Sequence, residues 1–218
     1  MSPNKITERL PLAEIFVLIV FSAVGIWVFY VSAILVSADF KSMRARDTVD
    51  GWMARRNDWS LSAWIEARSE ILDALKVVPD SPMLNDYMGA IYSFRGIQSW
   101  KDDRLRVIYF KAAEAYQLRS IQFREHNAPA WASLALSRYA IGLRDDQLYT
   151  AVQQAINLGE SEPGVRRVVS DILLGTWRTS PTSLRQWLLQ NYPRMSSQEK
   201  QTIMSIAQRY GQEKLLTY

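Results

Sequence analysis

Between Ile15 and Val36 the chain reads IFVLIVFSAVGIWVFYVSAILV, twenty-two residues without a charge. At about 1.5 Å of rise per residue a helix of this length covers roughly 33 Å, enough to cross a hydrocarbon core of about 30 Å with some tilt. Everything else in the chain is placed relative to this stretch. One rival is the core helix of a soluble domain, but such a helix would carry a polar edge. Here the flanks are abruptly charged, with Lys5, Glu8, Arg9 and Glu14 before the run and Asp39, Lys41, Arg44 and Arg46 after it. A second rival is a cleaved secretory signal, for which Ser32, Ala33, Ser37 and Ala38 are suitably small. The apolar run exceeds the roughly 7 to 15 residues of a signal core, which favours an uncleaved anchor. The chain then divides into a tail (1–14), a transmembrane helix (15–36), a juxtamembrane helix and linker (37–59), a repeat region (60–160) and capping helices (161–218).

Composition narrows the chemistry. There is no cysteine, so neither a disulfide framework nor a thiolate metal site is expected. His126 is the single histidine; between Glu125 and Asn127, at an expected helix end, it reads as a capping or surface residue. The formal charge of +4 comes from well-mixed acids and bases, unlike the dense basic patch that meets nucleic acid. Asp102–Asp103 and Asp145–Asp146 are adjacent pairs at turn or helix-start positions, where Asp caps a helix. On a helix their side chains diverge by about 100°, so neither pair forms an acid/base dyad. With no phosphate loop, nucleophile elbow or HExxH, the chain is expected to be no enzyme and to use no metal or cofactor.

Past Asn57, short amphipathic segments alternate with Pro, Gly, Asn and Asp, and no strand-like alternation persists. Helices are expected over 60–77, 82–95, 104–124, 129–141, 145–158, 163–177, 181–190 and 197–210. Several open with Pro near the first helical position. Ser180 is the expected N-cap before Pro181, and Ser196 with Glu199 forms a capping box. The fold class is all-α: one N-terminal transmembrane helix, then helical hairpins and a helical cap.

The order of residues in Ala128–Leu158 resembles a tetratricopeptide repeat. Trp131, Leu134 and Ala135 stand where the first repeat helix has its Trp, Leu and small residue, with Gly142 in the turn. Ala151, Ala155 and Leu158 match the second helix after a one-residue shift, and Arg138 occupies a place where Tyr is usual. Upstream, Gly89, Tyr92 and Gly96 keep first-helix spacing, followed by an insertion (IQSWKDDRLR). Ala67, Ile71, Ala74 and Pro79 keep that of a second helix and its closing Pro. The rival is a generic helical bundle with alanines in its seams. Val165, Val168, Val169, Ile172 and Leu173, then Leu184, Trp187 and Leu188, then Ile203, Ile206, Ala207 and Tyr210 mark three further helices suited to cap a solenoid.

In tetratricopeptide domains the first helices line a concave groove that holds a peptide or helix. The resemblance therefore implies a groove over Met83, Asp86, Ser93, Phe94, Ala132, Leu136 and Tyr139, although the same residues could instead pack inside the domain. Arg166 and Arg167 are candidates for contact with an anion. The anchor, the diverged repeats and the run LGESEPGVRRVVSDILLGTW, with RQW and IAQRYGQEKLL after it, are similar to the VpsP family of bacterial exopolysaccharide-cluster proteins. That resemblance implies a non-catalytic accessory role in polysaccharide synthesis or export at a Gram-negative inner membrane.

Two functions follow. One is an anchored scaffold that recruits a protein partner. The other is a module that binds polysaccharide or anionic lipid directly, with Trp59, Trp64, Trp100 or Trp187 stacked on sugars, although most of these should be core. Orientation pits two arguments against each other. Two cations precede the span, and Lys41, Arg44, Arg46, Arg55 and Arg56 follow it, which puts the large domain in the cytoplasm. The family resemblance points to the periplasm, which is favoured. Ala33 and Ser37, four residues apart in the anchor, hint at a homo-oligomer.

Overall fold

A computed structural model describes residues 12–54 and 58–217. The expected N-terminal tail (1–14) lies mostly outside this description, as do Arg55 and Arg56. Among the described residues the chain forms nine α-helices and no strand. The first, α1 (Leu12–Met53), is 42 residues long, about 63 Å. Among the described residues it is the one helix long and apolar enough to cross a membrane.

No break separates the apolar run from the charged segment after it, because 37–53 contains no Pro and few strong helix breakers. Its buried residues are Ala38, Ser42, Ala45, Val49 and Trp52, spaced by four and three so that they share one face. That face packs on α2 (Leu61–Leu75), which offers Trp64, Ala67, Ile71 and Ala74. Small residues on both helices let the axes approach closely. The packed body thus begins at Ala38, well ahead of Ser60, where the repeats were expected to start.

Helix α3 (Pro82–Gln98) runs beside the end of α1. The Tyr87 hydroxyl donates to the Asp50 carboxylate at 3.1 Å, and an Arg46 guanidinium nitrogen lies 3.6 Å from the Met83 sulfur. It forms a hairpin with α4 (Asp103–Phe123). The expected insertion supplies the last turn of α3, a short turn and the first turn of α4, whose N-terminus is capped by Asp102. Gly96 permits the close crossing: a Cβ there would meet the buried Phe110 ring at 2.7 Å. A second hairpin joins α5 (Ala128–Ala140) to α6 (Asp146–Gly159), turning at Gly142 with φ 90°, a backbone conformation that favours glycine. Helix α7 (Pro163–Gly175) packs on α5, while α8 (Thr182–Asn191) and α9 (Ser197–Arg209) close the end.

The capping box at Ser196 and Glu199 forms as expected. Ser180 does not cap α8: its hydroxyl donates to the Thr176 carbonyl at 3.1 Å and pairs with the Thr176 hydroxyl at 2.8 Å, finishing α7 instead. Asp145 caps α6, and His126 lies exposed in the α4–α5 turn. Arg138 is buried between Glu114 of α4 and Asp145, 2.7 Å from the latter. It ties three helices together from the place where Tyr was expected.

Candidate functional site

The α1 terminus, α3, α5 and α7 present one face to a common groove made of three adjoining hollows. The first, about 350 Å³, lies between Met83, Asp86 and Tyr87 of α3 and Arg124, Asn127 and Pro129 at the start of α5. The middle one, about 470 Å³, is walled by Trp52, Phe94, Ile97, Leu136 and Val168. The third, about 460 Å³, runs from Pro163 and Arg167 to Ser196 and Thr202 on α9. Met53 lines all three. Ala90, Gln117, Pro129 and Ser133 join the first to the second, and Gly164 and Arg167 join the second to the third.

Hairpin pairing explains this placement. In each of the first three pairs one helix turns outward, leaving the partner's small or apolar residues facing inward: Ala90, Ser93 and Phe94 on α3, then Ala132, Ser133 and Leu136 on α5. Of the expected groove residues, Met83 and Asp86 fall in the first hollow, and Ser93, Phe94, Ala132 and Leu136 in the middle one. Ala132 is 3% exposed and serves as floor.

Tyr139 is different. Its hydroxyl pairs with that of Tyr210 at 3.0 Å, and Tyr210 donates to Asp171 at 2.8 Å. The Arg144 guanidinium covers the Tyr139 ring at 4.2 Å. Burial, together with hydrogen bonds to Tyr139 and Asp171, pushes the Tyr210 phenol far up, so it stays a donor. Tyr139 is therefore a bolt between α5, α7 and the end of α9, not a groove residue.

Arg166 and Arg167 also part company. Arg166 binds Glu199 at 2.8 Å and its side chain is 19% exposed, so it holds α7 to α9. Arg167 stands exposed on the groove rim. The tryptophans are mostly structural: Trp64 is buried and donates to the Ile91 carbonyl at 2.9 Å, Trp187 donates to Glu160 at 3.2 Å, and Trp59 lies under Arg95. Trp100 alone of the four is widely exposed, at 65%.

The polar end of the groove is Asp86, which accepts from Arg124 at 2.5 Å and Asn127 at 3.1 Å. Burial raises its pKa, while Ser120, Arg124 and Asn127 pull it back. Gln117 and Tyr87 are among the groove residues that were not singled out from sequence. Gln117 is 2% exposed, bonds Ser93 at 3.4 Å and leaves its other amide atom unpartnered. Tyr87 sits beside Asp86 on the same wall. The only sequence signal for Gln117 was Gly89, which makes room for it: a Cβ there would lie 3.0 Å from the Gln117 Cγ.

The arrangement offers an apolar trough with polar groups at its two ends, a surface that can seat an extended peptide or one face of an amphipathic helix. Comparison with protein-family models, curated proteins and solved structures finds no match for the chain.

Proposed function

We propose that the protein is a non-catalytic, membrane-anchored scaffold whose groove recruits a partner protein. The observation that carries this is the continuous trough along α3, α5 and α7, held by hairpins that leave the anchor without a flexible joint. A rigid mount limits the partner's position as well as its identity. The succession of hairpins α1/α2, α3/α4 and α5/α6, with α7 to α9 closing the end, supports a tetratricopeptide-like solenoid. A place in a bacterial inner-membrane complex for exopolysaccharide synthesis or export, with the body in the periplasm, rests on the family resemblance. The direct polysaccharide- or lipid-binding alternative has less support, because Arg166 is tied to Glu199 and Trp64 is core.

The test is photocrosslinking of the full-length chain in its native membrane, with a photoreactive residue replacing Phe94 or Leu136. A defined protein adduct from these positions, lost in Leu136→Glu and absent from the outward position Gln190, is expected. Adducts with lipid or polymer alone, or equal labelling from Gln190, would sink the scaffold reading. Reporter fusions after Tyr218 decide the side of the membrane: an active periplasmic reporter fits the proposal, and an active cytoplasmic one places the partner among cytoplasmic proteins.

A further inference from the structure

The register between α1 and α2 shows how far the folded body reaches along the anchor. Arg44 pairs with Glu66 at 2.8 Å and reaches Glu70 at 3.9 Å, so the antiparallel helices pass each other near residues 44 and 68. Carried seven residues further along each helix, that register brings Leu75, the last residue of α2, level with Ser37. Lys76, whose side chain is 75% exposed, opens the turn that follows and by the same register is level with Val36, before the chain rises again to Met83 beside Arg46. The burial of α1 agrees. Val31 and Ile34 are half-buried on the face continued by Ala38, Ser42 and Ala45, while Val28, Leu35 and Val36 remain exposed.

Neither the charged Lys76 nor the irregular backbone of the turn suits hydrocarbon, so the half-burial of Val31 and Ile34 sets the bilayer edge near Tyr30 rather than at Val36. Trp27 and Tyr30 then take the headgroup level that such residues favour. From Ile15 to Val31 roughly seventeen residues remain, about 25 Å, within the range a span can use.

With the edge at Tyr30, Val36, Phe40 and Met43 stand about 9, 15 and 20 Å above it, past a headgroup layer of roughly 5 to 7 Å. They are nevertheless 67%, 77% and 59% exposed. All three lie on the side of α1 opposite the packed face. With Ile26, Phe29 and Ala33 they alternate by three and four, the spacing of a two-stranded coiled-coil seam. Asp47 and Asp50 occupy the next two places and end the seam.

We propose that this seam joins two copies of the chain as a parallel coiled coil that emerges from the membrane. A second copy fits because every copy enters the bilayer in one direction and to one depth, so the seam meets itself in register. Charge agrees: Asp39 and Arg44, five residues apart, flank the seam at the two places where parallel coils set opposite charges against each other. Their side chains are 60% and 71% exposed despite ion pairs to Arg46 and Glu66 in their own chain. Ala33 permits close approach within the lipid.

The absence of cysteine allows a clean test with single-cysteine variants of the full-length chain in native membranes. Under copper-phenanthroline oxidation, Val36→Cys, Phe40→Cys and Met43→Cys are expected to give disulfide-linked dimers at least about fivefold above Leu35→Cys and Lys41→Cys. Equal yields at all five positions, or none, overturn the proposal. So does strong quenching by brominated lipid of a fluorophore attached to the thiol of the Phe40→Cys variant, which would place the stripe in the bilayer, or linkage to a different protein in place of a dimer. A Phe40→Glu, Met43→Glu variant that keeps its helical content should lose the dimer; unchanged dimer yield refutes the seam. The inference rests on the anchor and not on the groove's ligand. A membrane-embedded chain without dimer defeats it alone, whereas release by alkaline carbonate defeats the anchor as well.

Discussion

Gly159 and Gly164 form a matched pair for testing how tightly the body is packed. Gly159 is the last residue of α6, and a Cβ placed there would sit 2.5 Å from the Ala128 Cβ and 3.3 Å from a Val165 methyl. Carbon atoms rest comfortably at about 3.5–4.0 Å, so the first contact is short by roughly 1 Å. Ala128 is 2% exposed and its methyl has no rotamer to adopt, so α5 must move from α6. Overpacking of this kind costs about 1–3 kcal/mol, against a helix-propensity gain of at most about 1 kcal/mol for Gly→Ala. Gly159→Ala is expected to lose about 1–2 kcal/mol. Gly164, the second residue of α7, has nothing within 4 Å of the same Cβ, and Gly164→Ala is expected to gain about 0.4–1 kcal/mol. The two melting temperatures of the full-length protein in detergent should therefore separate by about 3–12 °C, given about 2–4 °C per kcal/mol for a body of this size. Adding Ala128→Gly should restore much of the loss, which a double-mutant cycle reads directly. Equal shifts of the same sign in the two variants would refute the tight crossing.

Arg138→Ala should cost about 3 kcal/mol in urea unfolding, the low end for a broken buried pair because Asp145 remains partly in water, whereas Arg138→Met with Glu114→Leu should recover most of it. A loss under about 1 kcal/mol would show only the strength of a surface pair. Asp145 is held below the usual carboxylate range by the Leu148 N–H and Arg138, and Glu199 by Ser196 and Arg166. Folded-state values below the unfolded ones mean stability that is present above the unfolded pKa and lost as pH falls through the folded one. Denaturation midpoints should thus decline below about pH 4, less steeply in Asp145→Asn; an identical acid profile in that variant would contradict the assignment. Asp86 has the opposite sign: burial raises its pKa, so its charged form opposes folding above that value. Asp86→Asn should be neutral or stabilising at about pH 7 and lose that advantage toward about pH 3, and a clear destabilisation at neutral pH would count against it.

Much of the fold is legible in one dimension because its signals are local. The uncharged run from Ile15 to Val36, the Pro starts of α3 and α7, the capping box at Ser196 and the apolar spacing of each helix depend on neighbours within one or two turns. Phe94 and Leu136 line one hollow because each sits on the inward face of the first helix of its hairpin, a placement that spacing within one helix can suggest. Tyr139 was misplaced because its partner, Tyr210, lies 71 residues away, and spacing on α5 says nothing about it. Arg166 and Arg167 looked alike as neighbours until α9 brought Glu199 to only one of them.

The sequence by itself determined that this chain carries one long apolar helix and an all-helical body, since hydrophobic periodicity, caps and prolines act over a few residues. Only the tertiary structure decided where the bare apolar helix ends and the packed body begins. Val31 and Ile34 are half-buried in line with Ala38 and Ser42, the face that packs on α2, in a register that brings Arg44 to Glu66. Hydropathy sees a residue's own side chain, whereas the extent of the folded body is set by what is packed beside it.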